Sequence, residues 1–143
     1  MTTCRDVMTV DPVCCLGSAT VDQVAQMMRS EDVGPVPVVD NFQTKMLIGI
    51  VTDRDLAIKV VAEGRDPGAT RVQDVMTRDV ATCQPEDDLQ AALDKMAAYQ
   101  VRRIPVVDHY GAIVGIIAQA DIATRQENTL KTAEVVEEIS KPA

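Results

Sequence analysis

Aromatic residues are nearly absent from this chain. Two Tyr, one Phe and no Trp account for 2% of its 143 residues. Without large rings, the core must be assembled from Val, Ile, Leu, Ala and Met, with the seven Met acting as adaptable gap-fillers. Basic residues are outnumbered as well: 14 Lys and Arg against 22 Asp and Glu give a net charge of −8. A chain short of both cations and rings can neither neutralise many phosphates nor stack many bases, which argues against nucleic acid as a partner. The single histidine, His109, falls in the polar stretch His109-Tyr110-Gly111 and reads as an exposed turn residue. Nothing in the pattern supplies it with partners for a metal cluster or a nucleophile pair. The four cysteines, Cys4, Cys14, Cys15 and Cys83, form no C-x-x-C, so neither a metal site nor a disulfide framework is expected. No apolar run approaches membrane-spanning length. Met1-Thr2-Thr3-Cys4-Arg5-Asp6 does not begin as a secretion signal does. The expectation is therefore a cytoplasmic protein with no membrane partner.

What the chain does have is a repeat. Val7-Met8-Thr9 returns as Val75-Met76-Thr77, and Pro37-Val38-Val39-Asp40 as Pro105-Val106-Val107-Asp108, both 68 positions later. Gly49-Ile50-Val51 returns as Gly115-Ile116-Ile117 at an offset of 66, which places a hairpin turn two residues shorter in the second copy. A repeat this long is a complete supersecondary unit, and two copies can close one shared core with a ligand cleft between them. At 46% apolar residues, disorder is not expected.

Helical spacing of Val21, Val24, Ala25 and Met28 predicts a helix over 19–31, capped by Ser18 or Thr20. Val36–Asp40 and Met46–Val51 predict a hairpin, with Pro37 near a strand start or on an edge. Helical spacing resumes over 52–62 through Leu56, Val60 and Val61. The second copy predicts a helix over 87–99, strands at 104–108 and 112–117, and a closing helix from about Gln119. Residues 63–70, with Gly64, Pro67 and Gly68, read as a linker. Val135, Val136 and Ile139 suggest a short amphipathic tail helix over 132–140, with Glu134, Glu137 and Glu138 on its solvated face. The division expected is a first repeat at 1–62, linker 63–70, second repeat 71–127 and tail 128–143. Each unit reads as helix–strand–strand–helix after a short extended segment. The fold class expected is mixed α/β (α+β).

Asp6-Val7-Met8-Thr9, Asp74-Val75-Met76-Thr77, the two Pro-Val-Val-Asp strands and Gly49-Ile50-Val51-Thr52-Asp53-Arg54-Asp55 resemble the cystathionine-β-synthase (CBS) domain family. The whole is similar to a tandem pair, or Bateman module, over roughly residues 4–125. The resemblance implies two sheets packed face to face with pseudo-two-fold symmetry and helices outside. It further implies two clefts for adenosine-containing ligands such as AMP, ADP, ATP, NAD or S-adenosylmethionine. Members typically regulate an attached or partner protein, and many form disc-like dimers.

The heptapeptide ending at Asp55 supports two readings. Thr52 and the free N–H groups of a helix start can hold a phosphate while Asp55 accepts from ribose hydroxyls. Alternatively, Thr52 and Asp55 form a capping box. The second copy reads Gly115-Ile116-Ile117-Ala118-Gln119-Ala120-Asp121. Asp121 could hold a ribose, but Ala118 brings no hydroxyl. The resemblance also implies a crossing, in which Arg103, with Arg102, serves the cleft of Thr52 and Asp55. The matching positions Gly34, Pro35 and Val36 offer the other cleft no charge. One competent phosphate cleft (Thr52, Asp55, Arg102, Arg103) and one weaker cleft (Asp121, Ala118, Val36) are expected. Thr9, Val13, Thr77 and Val80 are expected to line adenine pockets. No cofactor, metal or catalytic residue is required, and any magnesium would arrive on the ligand's phosphates.

The function expected is a non-enzymatic sensor that signals in trans to an unidentified partner protein. The alternative is an interaction module whose clefts no longer bind. A homodimer is expected, formed through the faces of Ala57, Val60, Val61, Ala97 and Ala98.

Overall fold

The structure is a computed structural model that describes residues 2–120 and 122. The chain turns helical at Gln119 and Ala120. Most of the expected closing helix, Asp121, and the expected tail helix lie outside the described residues. The fold is mixed α+β, with two three-stranded sheets. In chain order the elements are α1 (Cys4–Val7), β1 (Thr9–Val10), β2 (Cys15–Leu16), α2 (Val21–Glu31), β3 (Pro35–Val39), β4 (Leu47–Thr52) and α3 (Asp53–Leu56). A five-residue π-helical turn, Ala57–Val61, extends α3, and a 3-10 turn at Val72–Asp74 stands where the first copy has α1. Then come α4 (Leu89–Tyr99), β5 (Arg103–Val107) and β6 (Ile113–Ala118).

The long helices start and stop for local reasons. Thr20 caps α2 in a reciprocal box with Gln23, and Val21, Val24 and Met28 form its buried stripe. Asp88 takes the N-cap position of α4 without a side-chain capping bond, and the helix buries Leu89, Ala92 and Met96. Both helices end on a non-glycine residue in the left-handed region, Asp32 (φ 54°) and Gln100 (φ 56°), which reverses the chain into the next strand. The hairpins match residue for residue. Pro35 faces Thr52 and Val38 faces Gly49, while Arg103 faces Ala118 and Val106 faces Gly115, each with a bulge one position further on. The turn runs from Asp40 to Met46 in the first and from Asp108 to Ala112 in the second, two residues shorter as the offsets required.

Pro37, expected near a strand start or on an edge, is the third residue of β3 and not on an edge strand. β3 is the middle strand of its sheet, in the order β2-β3-β4, and Pro37 is fully buried. The placement works because β2 is only two residues long and pairs with Val38 and Val39 alone, so the missing N–H of Pro37 falls beyond that ladder.

The repeats exchange their leading segments. β1 pairs with β6, placing Thr9 opposite Ile116, and Thr77 bridges to Ile50 of β4. Accordingly Cys4, Val7 and Met8 belong to the core of the second repeat, with Leu89, Ile104 and Ile117. Val72, Val75 and Met76 belong to the core of the first, with Val24, Val36 and Val51. A third cluster of Val39, Val107 and Ile113 joins the two hairpins. There the Leu47 N–H donates to the Gly111 carbonyl at 3.1 Å and the Ile113 N–H to the Lys45 carbonyl at 2.9 Å.

Two glycines make the exchange possible. A Cβ on Gly49 would stand 2.7 Å from Met76 Sδ and 2.9 Å from the Thr77 carbonyl oxygen. On Gly115 it would stand 2.6 Å from Met8 Sδ and 3.1 Å from the Thr9 carbonyl oxygen. The surface helical face also differs from expectation: Val60 is 1% exposed and packs into the core, whereas Val61 is 75% exposed. Along the π-helical turn Val60 therefore faces inward and Val61 outward. Gly49→Ala and Gly115→Ala are each expected to destabilise the fold by about 1–3 kcal/mol through overpacking. Gly68→Ala, whose Cβ would meet nothing nearer than 3.5 Å, should stay within about 0.5 kcal/mol. Urea midpoints of the three variants check this.

Candidate functional site

β4 runs directly into α3, and the junction is a capping box. The Asp55 N–H donates to Thr52 Oγ1 at 3.1 Å, and the Thr52 N–H donates to Asp55 Oδ2 at 3.0 Å. Asp55 Oδ1 pairs with Lys59 Nζ at 3.1 Å, and its side chain is 13% exposed. The helix-start reading of these residues is therefore realised. A carboxylate offers about four lone-pair directions, so two neighbouring hydroxyls can still be accepted.

Thr52, Asp53, Arg54 and Asp55 form one side of a cavity of about 710 Å³, within the range of small-molecule sites. Thr77, Asp79, Val80 and Ala81, which follow the exchanged Met76, line it too. Tyr99, Gln100 and Val101 from the end of α4, then Arg102 and Arg103 leading into β5, complete the lining with Ile50 and Pro105. The structure thus brings Thr52, Asp55, Arg102, Arg103, Thr77 and Val80 around one cavity. Arg103 reaches it from the other sheet: its Nη2 and the Asp53 carboxylate both lie 3.3 Å from where a Cβ on Gly34 would stand.

The remaining expected residues lie elsewhere. Thr9, opposite Ile116, and half-buried Val13 are the repeat counterparts of Thr77 and Ala81 and do not line this cavity. Ala118 sits opposite Arg103 in the second sheet. Val36 requires a correction: at 0% exposure in the first core it has no surface to offer a ligand, because its side chain points inward opposite Val51. Asp121 lies outside the described residues. Asp53, Arg54, Asp79, Tyr99, Gln100 and Val101 were not anticipated. Asp79 carried a usable signal, since Asp11 repeats it. The end of α4 carried little, because its left-handed cap is Gln100 rather than glycine.

Charge separates the two halves. Arg54, Arg102 and Arg103 all line the cavity, and none of their guanidinium groups makes a hydrogen bond or ion pair with any described residue. Their repeat counterparts are Ala120, Gly34 and Pro35. The counterparts of Tyr99 and Gln100 are Glu31 and Asp32, both exposed. Asp11, matching Asp79, is held by Lys45 Nζ at 3.0 Å. One side of the pseudo-two-fold therefore sets three guanidinium groups beside the carboxylates of Asp53, Asp55 and Asp79, whereas the matching positions on the other side bring no arginine.

The fold is a tandem pair of like units with a cleft between them, and the chain belongs to the CBS domain family, whose model matches residues 4–62 and again 72–128. The CBS domain-containing protein YhcV of Bacillus subtilis is 34% identical over 140 residues, covering 98% of this chain and 96% of that protein. A solved structure of Hypoxic Response Protein I with two coordinated zinc ions is 36% identical, covers 87% of this chain and 99% of its own, and superposes with a TM-score of 0.76; the protein of that name is from Mycobacterium tuberculosis. The CBS domain pair of protein MJ0100, solved with 5′-methylthioadenosine and S-adenosyl-L-methionine, is 26% identical. It covers 90% of this chain and 98% of its own, with a TM-score of 0.80.

Among the described residues, no group of three or more His, Cys, Asp or Glu side chains is arranged to hold a metal ion. His109 is exposed in its turn and lies against the Tyr110 ring, with centroids 3.9 Å apart. All four cysteines are free thiols. Burial pushes Cys15 up to about 12, and burial, opposed in part by a hydrogen bond with Cys83, pushes Cys4 up. Burial raises Cys83 well above the usual thiol range and raises half-buried Cys14 as well. Thiolate is the reactive form. Iodoacetamide at pH 8 should therefore label Cys14 first in the native protein and reach Cys4, Cys15 and Cys83 only after unfolding. Mass spectrometry of the alkylated peptides checks the order.

Proposed function

We propose that this protein is a regulatory sensor that binds a phosphate-bearing adenosine nucleotide in the cleft of Thr52 and Asp55 and signals to a partner protein in trans. The observation that carries the reading is the set of three unpartnered guanidinium groups lining the same cavity as a helix-start carboxylate. Asp55 accepts from the ribose hydroxyls. Arg102 and Arg103 hold the phosphate, for which bidentate guanidinium pairing is strong. Thr77, Val80 and Ala81 flank the adenine. An adenosyl ligand is supported by the complexes of the MJ0100 pair. The three arginines favour a phosphate-bearing member of that class, with any magnesium carried on it. The counterpart cleft, flanked by Glu31 and Asp32, binds phosphates weakly.

Arg103→Glu should weaken AMP at least about tenfold, the loss of one charge-assisted contact, and adenosine much less. Asp55→Ala should weaken both by about 1.5–3 kcal/mol. Because Asp55 also belongs to the capping box, this variant should lose about 1 kcal/mol of stability as well. Asp121→Ala should have the smaller effect. Titration calorimetry on the three variants tests the assignment. Silence of the wild-type protein toward AMP, ADP, ATP, NAD and S-adenosylmethionine in a thermal-shift screen would instead favour an interaction module.

A homodimer covering the exposed apolar side chains Ile58, Val61 and Tyr99, together with Ala97 and Ala98, completes the proposal. Light scattering should give twice the chain mass for the wild type, and Val61→Asp should reduce it toward the monomer.

A further inference from the structure

Lys59 does not line the cavity, yet it touches two parts that build it. Its Nζ lies 3.1 Å from Asp55 Oδ1 and donates to the Val75 carbonyl oxygen at 3.0 Å. Val75 is 2% exposed and leads through Met76 to Thr77, which bridges Ile50 and lines the cavity. We infer that Lys59 is a positioning residue that fixes the ribose-binding carboxylate and ties it to the exchanged segment forming the opposite wall.

The geometry gives the reason. A carboxylate held at one oxygen can still swing about its side-chain torsions. Asp55 is held at both, Oδ2 by the Thr52 N–H and Oδ1 by Lys59, so its plane is set before a ligand arrives. Preorganised acceptors bind more tightly because little ordering remains to be done. The same ammonium reaches across to the segment that begins at Val72 and comes from the other repeat. Lys59 lies in the π-helical turn, whose wider bonding is marked by the Ala62 N–H donating to the Ala57 carbonyl at 2.9 Å. Such turns are frequent at functional sites.

This inference rests on the ribose reading of Asp55, and the experiment separates the two. AMP and adenosine are titrated by NMR into the millimolar range against Lys59→Met, Lys59→Arg, Asp55→Asn and the Lys59→Met/Asp55→Asn double variant, with thermal melts confirming each fold. Lys59→Met keeps the aliphatic stem and is expected to weaken both ligands by the same factor, about tenfold, because it acts on the ribose side. Lys59→Arg should recover most of that loss. In the Asp55→Asn background, Lys59→Met should change AMP affinity by less than about twofold. Wild-type affinity in Lys59→Met, a loss confined to AMP, or an equal loss in the Asp55→Asn background would each overturn the inference. Wild-type affinity in Asp55→Asn alone would overturn the ribose reading itself.

Discussion

The packing of Met76 on Gly49, mirrored by Met8 on Gly115, is the constraint on which the rest of this structure depends. Each methionine is brought by the repeat that does not own the glycine. A side chain at either glycine would hold the arriving segment away from its sheet. The sheet would then lose the buried valines beside the methionine, Val75 in one case and Val7 in the other. Neither repeat closes a core of its own without this contact.

The cleft inherits that dependence. Thr77, Asp79, Val80 and Ala81 reach the cavity because Met76 is seated on β4, and Arg102 and Arg103 arrive from the second hairpin, joined to the first through Val39, Val107 and Ile113. The walls therefore belong to different repeats, and a ligand between them contacts both. The near-symmetric scaffold then carries asymmetric chemistry. The three arginines of the cavity, Arg54, Arg102 and Arg103, are answered by Ala120, Gly34 and Pro35 at the matching positions, so a duplicated backbone carries unlike charge on its two sides.

Much of this was legible in the sequence. Offsets of 68 and 66 gave the hairpins and the shortened turn, and helical spacing gave α2 and α4 to within about two residues. Arg102 and Arg103 could be assigned to the cleft of Thr52 only through the resemblance to a known family. The exchange of leading segments was not legible. Val-Met-Thr reads identically whether it packs on its own sheet or on its partner repeat's, since both sheets present glycine at the same place. Val36 and Val60 were misplaced for related reasons. A strand that begins at Pro35 turns Val36 inward, and a π-helical turn shifts the helical register that spacing assumes. The pairing of Lys59 with Asp55 follows the common four-residue spacing of a helix, but its reach to Val75 exists only in three dimensions.

The exchanged segments also bear on how the protein is made. As the chain emerges from the ribosome, the first sheet lacks Val72, Val75 and Met76 until the start of the second repeat has appeared, and Met8 has no seat until Gly115 follows. Synthesis of the first repeat alone therefore leaves an unfinished core, with apolar strands exposed to solvent and to chaperones. The first core can close once Met76 has appeared, but the second must await β6 near the end of the described chain, and contacts so distant in sequence slow its folding.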